Sequence, residues 1–311
     1  MRYAPLHSDV AEGPDAGAAH WLRTTDGQQI RVAHWVSPDD RGTVLLFPGR
    51  TEYIEKYGRA ATDFRDRGFA TITIDWRGQG LSDRMTPERA TGHVVDFADY
   101  QKDVAAMLTH ARDLGLPKPF YLVAHSMGGA IGLRALIEGL PVKAVAFSAP
   151  MWGIQMSAAL RPFAWGISSV ARRLGFDSRM APGQEADNYL LRIALAENTL
   201  TSDPDMFEYM REQITRFPEL GLGGPSLRWL NESLMEMRVL SRLTSPRIPA
   251  VTFLGTAEAI VDTARIRDRM ARWPGGTLES VAGGKHETMM EGPEIRAHFF
   301  NTTAALFDAH R

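Results

Sequence analysis

Short apolar runs alternate with segments of helical periodicity along much of the chain. The runs GTVLLFPG, FATITID, FYLVA and VKAVAFSAP are apolar nearly throughout, as expected of strands covered on both faces of a parallel sheet. Between them, residues 53–67, 97–114 and 127–138 repeat apolar positions every three or four residues, which is helical spacing. The alternation predicts an α/β architecture with a mainly parallel sheet and helices on both faces.

The pattern changes in two places. HWLRTTDGQQIRVAHWV predicts a β-hairpin, because Asp26-Gly27 tolerates the positive φ of a tight turn. Between residues 151 and 247 the alternation stops, and the sequence is helical and irregular with no convincing strand. It resumes with PAVTFLG and TLESVAGG, each followed by a helix. We therefore expect a core of residues 1–150 and 248–311, interrupted by a helical cap insertion over 151–247.

Composition and charge are those of an ordinary globular enzyme. The chain has 311 residues, 44% of them hydrophobic, and 35 Lys+Arg against 37 Asp+Glu, so its charge does not attract nucleic acid. The lack of cysteine excludes disulfides and thiol nucleophiles. The first 20 residues do not resemble a signal peptide, and no apolar window is long enough for a transmembrane helix. These observations predict a cytoplasmic protein.

Ser126 stands where a predicted strand becomes a predicted helix, in FYLVAHSMGGAIG. Ala124 and Gly128 flank it in an A-x-S-x-G arrangement, which matches the G-x-S-x-G nucleophile elbow with alanine in the first position. Such a sharp turn projects the serine side chain and requires small neighbours. Ser126 alternatively caps the helix, but its place directly after the strand favours a nucleophile.

A serine nucleophile needs a base and an acid, which follow the serine in the order acid, histidine in this type of fold. His286 lies on the loop after TLESVAGG, at the carboxyl edge of the predicted sheet, and His93 is the alternative base. For the acid, GTAEAIVD offers Glu258, which we favour, and Asp262, which alternatively caps the next helix. KHETMM is not a zinc helix because Met290 replaces the second histidine, and this chemistry predicts neither metal nor cofactor.

A serine that attacks a carbonyl group also needs hydrogen-bond donors for the developing oxyanion. The elbow supplies the backbone N–H of Met127, and the loop after the first parallel strand, FPGRTEY, offers the N–H of Arg50. Asp75 also follows a strand, but the RGQG segment after it favours a role in bracing that loop.

Together these residues resemble the α/β-hydrolase family over nearly the whole chain. DWRGQGLSDR and AHSMGG are similar to the family's second-strand loop and elbow. FPGRTEYIEKY, NTLTSD, LGGPSLRWLNES and GGKHETMMEGPE resemble segments of the branch that contains monoacylglycerol lipases and bacterial lysophospholipases. In that branch the acid is usually aspartate, and its position falls on Glu258. The resemblance implies hydrolysis of an ester in a single-chain lipid beneath a helical cap.

Two features of the cap segment bear on the substrate. Met151, Trp152 and Met156, with Met206 and Met210, either line an acyl pocket or belong to the core. A stripe repeats at helical spacing, with three arginines beside it: Leu160, Phe163, Ile167, Val170, Leu174 and Arg161, Arg172, Arg173. The stripe either packs on the core or brings the cap into peripheral contact with a membrane.

The sequence predicts a serine carboxylic-ester hydrolase for monoacyl lipids, most plausibly a lysophospholipase. A monoacylglycerol lipase or a general carboxylesterase is the first alternative. An aminopeptidase would need cap carboxylates for the substrate amine, for which Glu185 and Asp187 are candidates. A non-catalytic ligand-binding hydrolase fold is the alternative from another class. The oligomeric state is left open.

Overall fold

The computed structural model describes residues 2–156 and 160–311, with side chains described over 2–156 and 165–311. The strands are β1 Arg2–Tyr3, β2 Ala18–Arg23, β3 Gln29–Trp35, β4 Thr43–Phe47, β5 Ala70–Asp75, β6 Phe120–His125, β7 Val145–Ser148, β8 Ala250–Gly255 and β9 Gly276–Val281. The α-helices are α1 Ser8–Ala11, α2 Gly58–Arg65, α3 Tyr100–Asp113, α4 Met127–Ile137, α5 Leu160–Arg173, α6 Tyr189–Arg192, α7 Pro204–Arg216, α8 Leu227–Leu240, α9 Thr263–Ala271 and α10 Pro293–Asp308. Short 3₁₀ helices cover Ile54–Tyr57, Phe97–Asp99, Leu195–Glu197, Pro218–Leu220 and Thr288–Met290.

One nine-stranded sheet has the order β1-β2-β3-β5-β4-β6-β7-β8-β9. The predicted hairpin is confirmed, since β2 and β3 pair antiparallel and Gly27 turns between them at φ 87°. β3 joins β5 antiparallel, and from β5 to β9 every pair is parallel. The parallel part therefore has all its carboxyl ends along one edge, where ligands bind in open α/β sheets.

Alternate residues of the central strands face two different core layers, which explains why those strands are apolar throughout. In β4, Leu45 and Phe47 join a layer with α3, α4 and α9, while Val44 and Leu46 join a layer with α2 and α10. All four side chains are at most 1% exposed. Both faces of the sheet are covered, as the sequence predicted.

The chain between β7 and β8 adds no strand to the sheet within its described residues, and α5 to α8 lie in this segment. Two of these helices nevertheless complete the core of the sheet. Trp229 and Met237 of α8 join the layer with α3 and α4, and Phe207 and Met210 of α7 join the layer with α2 and α10. α5 packs against α8. Among the described helices, none is long and apolar enough to cross a membrane.

Candidate active site

The turn from β6 to α4 holds Ser126 at φ 49° and ψ −117°, outside the usual helical and strand regions. A methyl group at Gly128 would lie 2.2 Å from the carbonyl oxygen of Phe47, so only glycine fits between the elbow and the end of β4. Ser126 accepts no helix N–H through its side chain. The capping alternative is therefore not what the geometry shows, and the hydroxyl lines a cavity above the sheet edge.

Two backbone N–H groups lie beside this turn. Met127 is the first residue of α4, so its N–H has no acceptor within the helix. Arg50 follows β4 by three residues, on the loop that the elbow contacts through Phe47 and Pro48. Within the described residues no hydrogen bond from the Arg50 N–H is found, while the next amide, of Thr51, donates to Gln79 at 2.6 Å.

His286 and Glu258 come together at the same edge of the sheet. The loop after β9 carries His286, which is 3% exposed and lines the cavity with Ser126. Its Nδ1 lies 2.7 Å from Oε2 of Glu258, whose Oε1 accepts the N–H groups of Ile260 and Val261 at 2.6 and 3.1 Å. Burial alone would raise the pKa of Glu258, but the hydrogen bond from His286 and these two amides outweigh it and lower the pKa. The carboxylate is thus held ionised against the imidazole.

The alternatives from the sequence have other positions. Asp262 accepts the N–H groups of Ala264 and Arg265 at 3.1 and 3.2 Å and so caps α9. His93 places Nδ1 2.9 Å from Ser226 and does not line the cavity. Asp75 braces its loop, accepting the N–H of Leu81 at 2.8 Å, as expected.

A cavity of about 680 Å³ opens over Ser126 and His286. Met151, Met156 and Met210 are among its lining residues. The expectation for Trp152 is wrong: its indole N–H donates to the Gly129 carbonyl at 3.1 Å, and its ring packs against Phe147 in the core. Met206 likewise lies outside the lining, with its sulfur 3.6 Å from Arg296. Both side chains belong to the core, which the sequence could not separate from pocket lining because apolar residues serve in both places.

The predicted stripe on α5 divides between the two interpretations. Ile167 packs towards Leu227, whereas Val170 and Leu174 are 53% and 64% exposed. The side chains of Leu160, Arg161 and Phe163 lie outside the described residues. Arg172 pairs with Glu232 at 2.8 Å, and Arg173 is exposed.

A buried cluster of charges beneath His286 was not predicted. Lys56 donates to Glu52 at 2.6 Å and also to Glu287. Nε2 of His125 lies 3.4 Å from Glu52 and 3.3 Å from Glu287, and its ring centroid is 4.8 Å from that of His286. Burial lowers the pKa of His125, but the two carboxylates outweigh it and raise the pKa. The signal was present in AHS and KHE, where a titratable residue adjoins each proposed catalytic one.

Among the side chains that the structure describes, two groups have the spacing of metal ligands. Glu52, His125 and Glu287 form one, but the Lys56 ammonium already contacts both carboxylates and supplies the positive charge there. The other consists of three buried histidines from β2, β3 and α3, remote from the elbow in the topology: His20, His34 and His110.

Comparison with known proteins agrees with this geometry. A family model described as serine aminopeptidase, S33, matches residues 38–293, more than half of the chain. The protein belongs to this family. Lysophospholipase L2 of Escherichia coli K12 is 29% identical over 301 residues, covering 92% of this chain and 86% of the relative. A probable lysophospholipase L2 of Haemophilus influenzae is 28% identical and covers 88% of each chain.

Solved structures of the α/β-hydrolase class have the same fold as this family member. A soluble variant of the Saccharomyces cerevisiae monoglyceride lipase superimposes with a TM-score of 0.72 at 20% identity, covering 93% of this chain and 94% of that one. A carboxyl esterase of Bacillus coagulans gives a TM-score of 0.76 at 14% identity, covering 96% and 99%. The family and fold expected from the sequence are confirmed.

Proposed function

We propose that the protein is a serine hydrolase that cleaves the ester bond of monoacyl lipids, with lysophospholipids as its preferred substrates. One observation carries the proposal: Ser126 and His286 line one cavity, and Glu258 lies 2.7 Å from the imidazole. The named activities of the relatives from Escherichia coli and Haemophilus influenzae support the choice of substrate. Apolar lining by Met151 and Met156 suits an acyl chain.

The mechanism follows from these positions. The Ser126 hydroxyl attacks the ester carbonyl while His286 takes its proton, and Glu258 holds the imidazole tautomer and stabilises the imidazolium. The N–H groups of Met127 and Arg50 hold the oxyanion. The tetrahedral intermediate expels the glycerol oxygen, which receives the proton from His286. Water, deprotonated by His286, then attacks the acyl-enzyme, and the second tetrahedral intermediate collapses to the fatty acid while His286 returns the proton to the Ser126 oxygen. The chemistry uses water together with side chains and amides of this chain.

We propose further that residues 151–247 act as a cap over the site and that residues 1–150 and 248–311 form the hydrolase core, with α7 and α8 of the cap segment packed into its layers. Met156, Leu222 and Leu230 of this segment line the cavity, which supports this division. Exposed Val170 and Leu174 support peripheral contact of the cap with one face of a membrane, which we propose is the cytoplasmic face.

An aminopeptidase is the second candidate, because the family description names one and Glu185 and Asp187 line the same cavity. Both residues are exposed, and Glu185 is paired with Arg192 at 2.7 Å. Carboxylates at an open rim bind an ammonium group weakly, since water and salt screen the attraction. The ester-hydrolase proposal is therefore preferred.

The experiment compares wild type with Ser126→Ala on a lysophospholipid, a monoacylglycerol, a short-chain ester and an aminoacyl anilide, together with fluorophosphonate labelling. We expect the wild type to release fatty acid fastest from the lysophospholipid and to be labelled. Ser126→Ala should lose labelling and at least ~10³-fold in kcat. Ser241→Ala, at the C-terminal end of α8 and outside the cavity lining, is the control that keeps both. Undiminished labelling of the Ser126→Ala protein would refute the nucleophile.

A further inference from the structure

The side chain of Arg50 is a charged group in the cavity that the mechanism does not use. Its Nη1 donates to the carbonyl oxygen of Gly223 at 3.0 Å, and its guanidinium carbon lies 5.5 Å from the ring centroid of Trp229. Its other N–H groups make no hydrogen bond to a described residue. Burial lowers the pKa of Arg50 to about 10, so the group still carries its charge at neutral pH.

Other cations at this cavity are neutralised. Lys56 contacts two carboxylates, Glu52 and Glu287, and Arg192 pairs with Glu185 at 2.7 Å. Among the described residues that line the cavity, Arg50 is thus the cation without a carboxylate partner.

Two buried arginines outside the cavity, Arg31 and Arg269, each donate to several oxygens. Arg31 contacts Glu55 and Asp75, each at 2.7 Å. Arg269, which has no carboxylate, donates to several oxygens at the end of α8 and does not line the cavity. Arg50 has one carbonyl and one aromatic face instead. Desolvating a charge without pairing it is costly, and such groups are typical of binding sites.

We infer that the Arg50 guanidinium binds the phosphodiester anion of the substrate headgroup, an inference that rests on the proposed lysophospholipase function. A guanidinium presents a planar fork of donors that matches two phosphate oxygens. The apolar side chains of Trp229 and Leu222 line the cavity as well, and an apolar wall strengthens an electrostatic contact beside it.

The position of Arg50 also matches the length of the substrate. Its backbone N–H is the proposed oxyanion donor, so the ester carbonyl and the guanidinium are separated by one arginine side chain. In a lysophospholipid a three-carbon glycerol separates the ester from the phosphate. A single residue therefore spans both functional groups, and a monoacylglycerol, which ends in a hydroxyl, leaves the guanidinium unpaired. Arg50 is thereby a specificity residue that favours phospholipid over neutral lipid.

The test measures binding without turnover, in Ser126→Ala protein, with a lysophosphatidylethanolamine and a monoacylglycerol of the same short acyl chain, both monomeric. Adding Arg50→Gln should weaken lysophospholipid binding about 10- to 100-fold relative to monoacylglycerol, the size of a lost hydrogen bond to a charged group. Arg50→Lys keeps the charge and loses the fork, so we expect an intermediate loss. Arg192→Gln, which removes a cation already paired with Glu185, is the matched control and should leave the ratio unchanged.

With Ser126 intact, the ratio of kcat/KM for the two lipids should fall by the same factor in Arg50→Gln. A ratio is used because any disturbance of the Arg50 N–H affects both lipids alike and cancels. An unchanged ratio in both assays overturns the inference. A competition assay adds inorganic phosphate or glycerophosphoethanolamine to the lysophospholipid. Equally strong competition by the two compounds would also overturn the inference, in favour of a site for free phosphate. Failure of the proposed function is separate, since it appears as Ser126→Ala protein that still hydrolyses the lipid.

Discussion

Glu258 is one methylene longer than the aspartate that is usual in the branch that the sequence resembles. Its hydrogen bonds show how the longer side chain is held. One carboxylate oxygen reaches Nδ1 of His286 at 2.7 Å, while the other is held by the amides of Ile260 and Val261. The side chain is 0% exposed. The extra reach is therefore fixed in one direction, and the longer acid orients the imidazole without added freedom.

Exchange of the two acids tests this assignment. We expect Glu258→Gln to lower kcat by about 10³- to 10⁴-fold, because an amide cannot stabilise the imidazolium or enforce the tautomer. Glu258→Asp should retain part of the activity, since it keeps the charge but loses reach. Asp262→Ala should keep kcat near that of the wild type and cost about 1 kcal/mol of unfolding free energy, as a lost helix cap does. Steady-state kinetics and urea unfolding measure both. If Glu258→Gln kept the wild-type kcat and Asp262→Ala lost it, Asp262 and not Glu258 would be the acid.

At the residue scale, the sequence predicted features that depend on backbone geometry, such as the turn at Ser126. It did not predict features that depend on the direction of a side chain. Small residues around Ser126 indicate the elbow, because a methyl group at Gly128 would clash with the Phe47 carbonyl oxygen. Nothing in the spacing distinguishes Met151, which lines the cavity, from Trp152, which faces the core. The role of the Arg50 side chain was not predicted for the same reason. That no carboxylate lies against its guanidinium is known only once the neighbouring loops are folded around it.

At the scale of elements, strands and helices that alternate in the sequence were found where the apolar pattern placed them, because the helices bury one repeated face and the central strands bury both. The antiparallel end of the sheet carries a feature that periodicity did not reveal. His20 of β2 and His110 of α3 lie with Nδ1 and Nε2 3.3 Å apart, and the ring of His34 from β3 stacks on that of His20 at 5.6 Å. All three are at most 8% exposed.

This histidine cluster should make stability depend on pH. Burial lowers the pKa of His34 and of His110 to about 4, with Asp113 opposing the shift at His110. An unfolded histidine titrates near 6.5, so between about pH 6.5 and about pH 4 the unfolded chain binds protons that the folded cluster does not. The free energy of unfolding should therefore fall as the pH falls through this window, while above it the cluster adds no pH dependence.

Urea unfolding at a series of pH values measures the slope. We expect His34→Gln/His110→Gln to flatten the decline between about pH 6.5 and 4, whatever its effect on absolute stability. Met107→Leu, which disturbs packing on the buried face of α3 without removing a titratable group, is the control and should leave the slope as in the wild type. A double variant with the wild-type slope would assign the acid sensitivity to other groups.

At the scale of the whole molecule, the segment between β7 and β8 has two kinds of surface. α7 and α8 extend the core layers of the sheet, and residues such as Met156 and Leu230 line the cavity. The outer side of α5 instead exposes apolar groups next to arginine. Sequence periodicity identified α5 as amphipathic but could not say which half of its stripe would find a partner, because that depends on the distant residues of α8.

The exposed end of α5 is the surface we expect to meet a membrane. Val170, Leu174 and Phe176 are 53%, 64% and 51% exposed, and Arg173 lies among them. Inserting three such side chains into a bilayer interface is favourable by a few kcal/mol in total, and arginine adds attraction to anionic lipid. The energy is enough for reversible attachment and far below that of an anchor.

Co-sedimentation with vesicles of phosphatidylethanolamine and phosphatidylglycerol tests this contact, using Ser126→Ala protein so that the lipid stays intact. We expect Val170→Ser/Leu174→Ser/Phe176→Ser to reduce the bound fraction at least ~10-fold, while kcat on a soluble short-chain ester, measured with Ser126 present, stays unchanged. Tyr3→Ser is the control, since Tyr3 is 77% exposed on β1 at the edge of the sheet, away from α5 in the topology. Equal loss of binding in the Tyr3 variant, or none in the triple variant, would show that α5 does not direct the attachment, and the cap would then reach its lipids from solution.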